Sequence, residues 1–405
     1  MKNILKMLLG MLVGAVAGYG GVMLVMWLVD GGMPSAKSHS EGIDYGLKAM
    51  SIGFALLWLF VTVFIHLVLH EAGHLITGLL TGYKFLSFRV FKFTIVKTDE
   101  GLRWKRFHIQ GTGGQCILEI PEDQDVEKAP WFWYNAGGVL MNLLLAGLSI
   151  LVLRSFELHL AAFSFFVMMA FVGILVAFMN GVPMIVGGVS NDGYNLWTLW
   201  RHPEERRFFV RSLQAAGKLS RGLRMSKMPA TWFEDIPVKE QSHYLEISNR
   251  ILYMALLEDQ QRFEEARMVA EELMALGKKL AQLYKLEVGG ELVMLELLTT
   301  QRHDVVDKLW DKQLERYTIA NSKYSPIKCA VLYAYELLHK RDAEKADTYK
   351  QQFEAHRDDY TMPGEAKTTT ILIESIIKKS IEKTNENNTI YVSADGHVSH
   401  DKQHQ

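Results

Sequence analysis

The chain has 405 residues, of which 44 are Lys or Arg and 45 are Asp or Glu, and its formal net charge is −1. This length allows two or three domains, and the balanced charge gives no indication of a nucleic-acid partner. The two cysteines, Cys116 and Cys329, lie in different halves of the chain, which argues against a disulfide framework and a cysteine-based metal site. Residues 1–200 hold fewer than a third of the charges, so this part has the composition of a membrane protein.

The first predicted element is a membrane span over residues 7–29. Lys2 and Lys6 precede an apolar run that is long enough to cross a bilayer. The run is also longer than the apolar part of a cleaved signal peptide. We therefore expect a retained transmembrane helix here, followed by a polar loop over residues 30–47.

A second span is predicted over residues 49–80, and it carries a His-Glu-Ala-Gly-His pattern from His70 to His74. Positions i and i+4 share one face of a helix, so both imidazoles can reach one zinc ion, and Glu71 can act as a general base on a water beside it. The pattern is short, but ionisable side chains inside an apolar span are costly and indicate function. His66 lies one turn earlier on the same face. It is interpreted as a packed histidine, and a supporting role behind the ligands is the alternative.

After the second span the apolar period changes to that of β-strands. Apolar and polar residues alternate on both sides of a turn signal at residues 99–101, which predicts a β-hairpin with a third strand over residues 85–120. This segment and the acidic loop after it also hold most of the Lys and Arg residues of the first half. With four spans, the positive-inside rule then places both termini in the cytosol and the His-Glu pattern nearer the cytosolic face.

Two further spans are predicted over residues 134–153 and 160–186. Asp192 follows the last span within a Ser-Asn-Asp-Gly turn. A catalytic zinc ion needs three protein ligands, and the other carboxylates that are available lie in polar loops with no helix to hold them. We therefore predict Asp192 as the third ligand. An ordinary turn or helix cap is the alternative interpretation.

The second half of the chain is predicted to be a soluble helical domain over residues 201–380. Leu-Leu pairs that begin at Leu256, Leu297 and Leu337 are 41 and 40 residues apart, and each lies in an amphipathic segment. Fixed spacing of this kind predicts stacked helical hairpins that resemble tetratricopeptide repeats in architecture. Such stacks often bind peptides, so a cytosolic protein partner is one interpretation and packing alone is the other. Residues 381–405 are predicted to be a disordered tail.

Three separated elements resemble the site-2 proteases, a family of intramembrane zinc metalloproteases. The first is the pattern at residues 70–74. The second, residues 138–142, is similar to the family's Gly-Pro-x-x-Asn, although valine replaces the proline. The third, residues 180–183 followed by 191–193, is similar to the family's Asn-x-x-Pro and Asp-Gly, with a longer spacing than usual. The resemblance covers roughly residues 49–200.

The resemblance implies a Zn²⁺ site formed by His70, His74 and Asp192, with Glu71 as the base. It also implies a membrane-associated β-sheet and a substrate that is a membrane-protein segment, a signal-peptide remnant or a hydrophobic peptide. Asn142 is predicted to be catalytic, through a hydrogen bond to the substrate backbone or the developing oxyanion. The implied location is the plasma membrane of a bacterium, with the lipid bilayer around the site.

The predicted fold is therefore an α-helical four-span membrane domain with a small β-sheet, joined to a soluble all-α repeat domain. Two other functions are left open by the sequence. One is a non-catalytic membrane adaptor whose repeats bind a cytosolic protein and whose metal pattern is vestigial or structural. The other is a soluble-type zinc protease tethered to the membrane, which needs a downstream glutamate ligand on a polar helix that the sequence does not offer.

Overall fold

The structure is a computed structural model. The residues it describes are 20–21, 27, 45–98, 101–106, 113–186 and 189–395. The chain divides into two compact units. The first comprises Met1–Ile95 with Ile109–Glu204, and the second comprises Val96–His108 with Glu205–Gln405. The division at Glu204 lies close to the predicted domain boundary at residue 200.

Three helices of the first unit are long and apolar enough to cross a membrane: the Leu56–Leu80 part of α1 (Tyr45–Leu80), α2 (Trp131–Ser155) and α3 (Leu160–Gly181). They correspond to the second, third and fourth predicted spans. The first predicted span, over residues 7–29, lies outside the described residues except for positions 20, 21 and 27.

α3 ends five residues before the predicted end of its span. Val182, its C-cap, has extended backbone angles, and Pro183 follows directly. Because the ring of a proline disfavours helical angles in the residue before it, the helix stops at this point. The remaining apolar residues form a short antiparallel pair, β5 (Ile185–Val186) with β6 (Val189–Ser190), and α4 (Asp192–Arg201) follows.

α1 packs against both α2 and α3, and its approach to α2 is close because glycines meet there. A Cβ added at Gly73 would lie 2.3 Å from the carbonyl oxygen of Gly137, and one added at Gly137 would lie 2.5 Å from that of Gly73. Small residues of this kind let two helix backbones come together inside a membrane. The contact places the His-Glu pattern of α1 against the first turns of α2.

Four strands form one sheet in the order β3-β2-β1-β4. Their ranges are Lys84–Val90 (β1), Phe93–Thr98 (β2), Gly101–Arg106 (β3) and Gly114–Glu119 (β4). β1 and β4 are antiparallel, with Phe88 opposite Cys116 and Val90 opposite Gly114. The sequence predicts strands near residues 91–96, 106–110 and 116–120. β2 and β4 correspond to the first and third, whereas residues 107–110 of the second lie outside the described residues and β3 precedes them. β1 is an addition, and simple alternation does not mark it because Arg89 and Val90, on opposite faces, are both buried.

The second unit is built mainly from helices packed in neighbouring pairs, such as α6 with α7 and α11 with α12. The helices are α5 (Arg206–Ser220), α6 (Tyr244–Asp259), α7 (Phe263–Ala275), α8 (Gln282–Leu298), α9 (His303–Leu309), α10 (Lys312–Asn321), α11 (Pro326–Ala334), α12 (Ala343–His356) and α13 (Pro363–Asp395). α13 packs against α5, α6, α8 and α11. The sequence predicts disorder from residue 381, but α13 continues as a helix to Asp395.

Candidate metal centre

The structure brings together the three side chains that the sequence predicts as metal ligands. Nε2 of His70 lies 3.2 Å from Nε2 of His74. Oδ2 of Asp192 lies 3.1 Å from Nε2 of His70 and 3.3 Å from Nε2 of His74. Both histidines are buried and Asp192 is half-buried. Three donor atoms from α1 and the start of α4 therefore form a nearly equilateral triangle.

Asn191 holds Asp192 in this position. Its side chain caps α4 and also binds the loop that follows α3. The four contacts of its amide are to Met179 O (2.7 Å), Val182 O (2.6 Å), Met184 N (3.0 Å) and Tyr194 N (2.9 Å). Gly193 lies against the end of α3, where an added Cβ would be 2.2 Å from the carbonyl oxygen of Gly181. The start of α4 is thus tied directly to the last membrane helix.

A hydrogen bond on the side of the His74 ring away from Asp192 determines which ring nitrogen carries the proton. Nδ1 of His74 lies 2.6 Å from the carbonyl oxygen of Tyr134. A carbonyl oxygen only accepts, so Nδ1 carries the hydrogen. In the neutral imidazole, Nε2 then presents a lone pair toward Asp192 and His70. This is the arrangement of a histidine that binds a metal through one nitrogen and is oriented through the other.

His70 is oriented by a chain of hydrogen bonds that reaches α3. The side-chain amide of Asn142 lies 2.9 Å from Nδ1 of His70 and 3.1 Å from Nδ1 of His66, and Nε2 of His66 lies 2.9 Å from the carbonyl oxygen of Met169. With the amide nitrogen toward His70, His66 would need an extra proton to satisfy both of its partners. With the amide oxygen toward His70, every contact joins a donor to an acceptor and both imidazoles are neutral.

This second orientation of the amide gives His70 a hydrogen on Nδ1 and a lone pair on Nε2. Asn142 is fully buried at 0% exposure, and the contacts found for its side chain are to His66 and His70. The structure thus places the predicted catalytic asparagine behind a ligand. His66 belongs to the same chain of hydrogen bonds, which agrees with the supporting role that the sequence left open beside simple packing.

Three lone pairs therefore converge in a site of low polarity. Oδ2 of Asp192 is buried and has no hydrogen-bond donor in suitable geometry among the described residues. An anion beside two neutral imidazoles calls for a cation. Tetrahedral ligands about 2.0–2.1 Å from zinc are about 3.3 Å apart, so this donor set fits zinc.

Two glycines leave room around the centre. A Cβ added at Gly138 of α2 would lie 2.4 Å from Cε1 of His70 and 2.5 Å from Nε2 of His74. A Cβ added at Gly114 of β4 would lie 2.4 Å from Oε1 of Glu71. The predicted base therefore lies directly beneath the backbone of the edge strand β4, and any side chain at either glycine would displace groups of the centre.

Arg89 is a buried charge near this centre that sequence analysis did not single out. Its side chain donates from Nη1 to the carbonyl oxygen of Phe91 at 3.2 Å and from Nη2 to that of Gly114 at 3.3 Å. Burial lowers the pKa of its guanidinium, and the negative charge of Glu71 opposes that shift. Arg89 thus fixes the backbone that lies over Glu71. A basic residue in an alternating strand is usually solvated, and only its neighbours Phe88 and Val90 hinted at burial.

An apolar pocket of about 410 Å³ lies next to the centre, between the start of α2 and α4. Its lining includes Trp131, Phe132, Pro183, Gly193, Trp197 and Trp200. The guanidinium of Arg201 lies 5.3 Å from the ring centroid of Trp197 and 5.7 Å from that of Trp200. Tryptophan and arginine together are typical of the level where a membrane protein meets lipid headgroups.

Metal-assisted hydrolysis uses metal ligands, an adjacent carboxylate and a substrate pocket, and this site offers a candidate for each. Asn180, the other asparagine of the predicted motifs, bonds the carbonyl oxygen of Val176 in its own helix at 3.0 Å.

No protein-family model, curated protein or solved structure matches this chain, so its residues and their geometry are the basis for assigning a function.

Proposed function

We propose that the protein is a membrane-embedded zinc metalloendopeptidase of the site-2 protease type. The observation that carries the proposal is the convergence of three donor atoms, within 3.3 Å of one another, from a membrane helix and the segment after the last membrane helix. His70, His74 and Asp192 are the residues that would hold the zinc ion. The motif resemblance and the three apolar helices support the same reading.

When bound, zinc lowers the pKa of a water and polarises the scissile carbonyl. The chain's own residues supply the proton transfer. Glu71 takes the proton of the attacking water on a carboxylate oxygen and returns it to the amide nitrogen as the C–N bond breaks. Tyr134 and Asn142 hold the two imidazoles through their Nδ1 atoms, and Arg89 holds the strand backbone beside Glu71.

The proposed substrate is a membrane-protein segment, a signal-peptide remnant or a hydrophobic peptide. A transmembrane helix hides its peptide bonds in its own hydrogen bonds, so it must unwind before it can be cut. β4 is at the edge of the sheet and Gly114 lies against Glu71, so an unwound segment can pair with this strand next to the base. The pocket lined by Trp197 and Trp200 can receive an apolar side chain of the same segment.

The proposed location is the plasma membrane, with the metal centre toward the cytosol and the helical unit in the cytosol. Lys and Arg residues concentrate in the segment between α1 and α2, which supports this orientation under the positive-inside rule. The substrate would accordingly be cut near its cytosolic end.

The test compares the wild type with Glu71→Gln, which keeps the size of the side chain but cannot take up the proton. Purified protein is given a quenched fluorescent transmembrane peptide, and membranes from both strains are compared by peptidomics. We expect cleavage to fall about 10²–10⁴-fold while bound zinc is unchanged. The exposed Glu157 gives a matched control, Glu157→Gln, which should cleave normally. Full cleavage by Glu71→Gln would refute the proposal, and a full cellular role without cleavage would favour the adaptor.

A further inference from the structure

The helical unit contains a second group of buried charges, which we call the acidic cleft: Glu258, Glu287, Glu291, Glu365 and Lys328. Nζ of Lys328 lies 2.6 Å from Oε2 of Glu287 and 3.3 Å from Oε1 of Glu291. Glu258 lies in the last turn of α6, and Glu365 lies in the first turn of α13. Two carboxylates of α8 thus pair with the ammonium of Lys328 on α11, and two further carboxyl groups come from α6 and α13.

The charges of the cleft are not balanced from within. Neither Glu258 nor Glu365 forms an ion pair with any described residue, and Lys328 is already engaged by two other carboxylates. Burial and the charges of Glu291 and Glu287 raise the pKa of Glu365 to about 7, although Lys328 lowers it. Burial and the neighbouring carboxylates likewise raise the pKa of Glu258 and of Glu291. Carboxyl groups with raised pKa values tend to keep their protons near neutral pH, and a bound cation would favour their ionised form.

A separate observation points to a ligand. Glu258 is 2% exposed, and its Oε1 is buried without a hydrogen-bond partner among the described residues. A buried carboxylate oxygen with no partner is costly, so it is usually found where a partner binds. The charge of Glu291 raises the pKa of this carboxyl and that of Lys328 lowers it.

The acidic cleft reaches the protein surface at Glu287. The side-chain exposure falls from 34% at Glu287 to 12% at Glu291 and 0% at Lys328. Glu365 is half-buried. Glu287 is thus the accessible edge of the group, and Lys328 and Glu258 are its most buried members.

The spacing of the carboxylates favours an organic cation over a metal ion. Among the described residues, no three acidic oxygens of the cleft lie within 4.8 Å of one another, as a bound metal ion would need. An ammonium or guanidinium group donates several hydrogen bonds in different directions at about 2.7–2.9 Å, so it can join carboxylates that are farther apart.

We propose that the acidic cleft binds a lysine or arginine side chain on the cytosolic flank of a membrane-protein substrate. The identity of this occupant rests on the proposed function. Cytosolic flanks of membrane spans are enriched in lysine and arginine, and a protease that cuts near that face must handle the flank together with the span. The cleft would thereby select substrates whose cytosolic flank is basic.

The first experiment measures binding without cleavage. The full-length Glu71→Gln protein in detergent is titrated, by fluorescence anisotropy, into a short Ser/Gly peptide that carries lysine and arginine, and into the same peptide with glutamines in their place. We expect about tenfold tighter binding of the basic peptide, lost in Glu258→Gln and in Glu291→Gln. Glu240→Gln is the matched control, since that side chain is 84% exposed and pairs only with Lys279 on the surface.

Equal binding of the two peptides, or the same loss in Glu240→Gln, would overturn the proposal. Calcium or magnesium titrations of the same protein provide a further check. Tight metal binding that Glu258→Gln abolishes would assign the cleft to a metal ion and would also overturn it. Because Glu258→Gln and Glu291→Gln remove charges that burial disfavours, we expect both variants to fold.

The second experiment separates this proposal from the proposed function. Wild-type protein is given two single-span substrates that differ only in lysines or glutamines on the cytosolic flank. We expect about tenfold higher kcat/KM for the lysine form, and Glu258→Gln should remove that preference without slowing the glutamine form. If both substrates are cut equally, the cleft proposal fails alone. If neither substrate is cut but the basic peptide still binds more tightly than the glutamine peptide, the proposed protease function fails. The assignment of the occupant as a substrate flank then fails too, and the cleft is a site for basic peptides in general.

Discussion

The metal centre and the acidic cleft both bury carboxylates between helices, but they differ in spacing and charge balance. In the metal centre, one carboxylate and two imidazoles present three donor atoms that are 3.1 to 3.3 Å apart. In the acidic cleft, one ammonium pairs with two of the four carboxyl groups, and among the described residues no three acidic oxygens of the cleft lie within 4.8 Å of one another. Short, convergent spacing suits a divalent ion with short bonds, whereas dispersed oxygens suit a hydrogen-bonding cation.

The largest effect is expected from Asp192→Ala, because it removes a ligand and leaves two imidazoles facing an empty position. Zinc affinity should fall by more than about 100-fold, which exceeds what the loss of an outer hydrogen bond causes. Zinc content after purification and competition with a chelator measure the change. Asp125→Asn, in an exposed loop of the same unit, is the control. Unchanged zinc stoichiometry in Asp192→Ala would mean that Asp192 is not a ligand. The convergent spacing that distinguishes the metal centre from the acidic cleft would then have no role in metal binding.

Gly138→Ala tests whether the convergence of the three donors depends on the space above them. The new methyl group would lie 2.4 to 2.6 Å from atoms of His70 and His74, so the imidazoles must shift. Overpacking of this kind costs about 1–3 kcal/mol, and we expect at least a tenfold loss of zinc affinity. Gly147→Ala is on the same helix and meets nothing within 4 Å, so it should keep its zinc. Equal zinc affinity in Gly138→Ala and Gly147→Ala would mean that zinc binding tolerates a displacement of the two imidazoles.

Asn142→Leu tests the hydrogen-bond chain that orients His70. We expect about a 10–100-fold loss of zinc affinity and a changed absorption spectrum of the cobalt-substituted protein, because His70 loses the acceptor for its Nδ1 hydrogen. Asn142→Asp retains an acceptor and should recover most of the affinity. Ser149→Ala on the same helix removes a buried hydroxyl that bonds only the backbone of Leu145, and it should change neither measurement. If Asn142→Leu lowers kcat and leaves zinc and the cobalt spectrum unchanged, the asparagine contacts substrate, as the sequence predicts.

The sequence predicts the features of the metal centre that depend on neighbouring residues. It does not predict the contacts between segments that are far apart in the chain. Helical periodicity places His70 and His74 on one face, and the turn chemistry around Asp192 marks it as a residue held in place. The contact of His66 with Asn142 and Met169 joins three segments that are far apart in sequence, and no local pattern encodes it.

The acidic cleft was missed for a similar reason. Glu258, Glu287 and Glu291 lie in amphipathic helices where a glutamate is ordinarily on the solvated face. α13 packs against α6, α8 and α11, the helices that carry these glutamates and Lys328, and no local sequence pattern encodes this packing. The sequence also did not predict the burial of Arg89. This residue lies in β1, a strand that was not predicted, and β1 pairs with β4.

The smallest expected effect concerns the pH dependence of the helical unit. Glu365 has a folded pKa of about 7 against 4.5 for the ordinary side chain, so the folded state binds more protons than the unfolded state between these values. Stability must therefore fall as pH rises through this window, by about 1–2 kcal/mol for this residue after allowing for solvent screening. Differential scanning fluorimetry of the full-length protein should show the fall, and Glu365→Gln should reduce it.

Scanning fluorimetry can also compare how the acidic cleft and the metal centre respond to their ligands at different pH values. If ionised carboxylates destabilise the cleft, a basic peptide that neutralises them should raise the unfolding temperature more at pH 8 than at pH 5, since binding stabilises only the state that takes it up. The metal centre should respond in the opposite sense to its own ligand, because zinc must displace protons from His70 and His74 and is lost as pH falls. A peptide effect that is the same at both pH values would show that the ionised cleft carries no uncompensated charge.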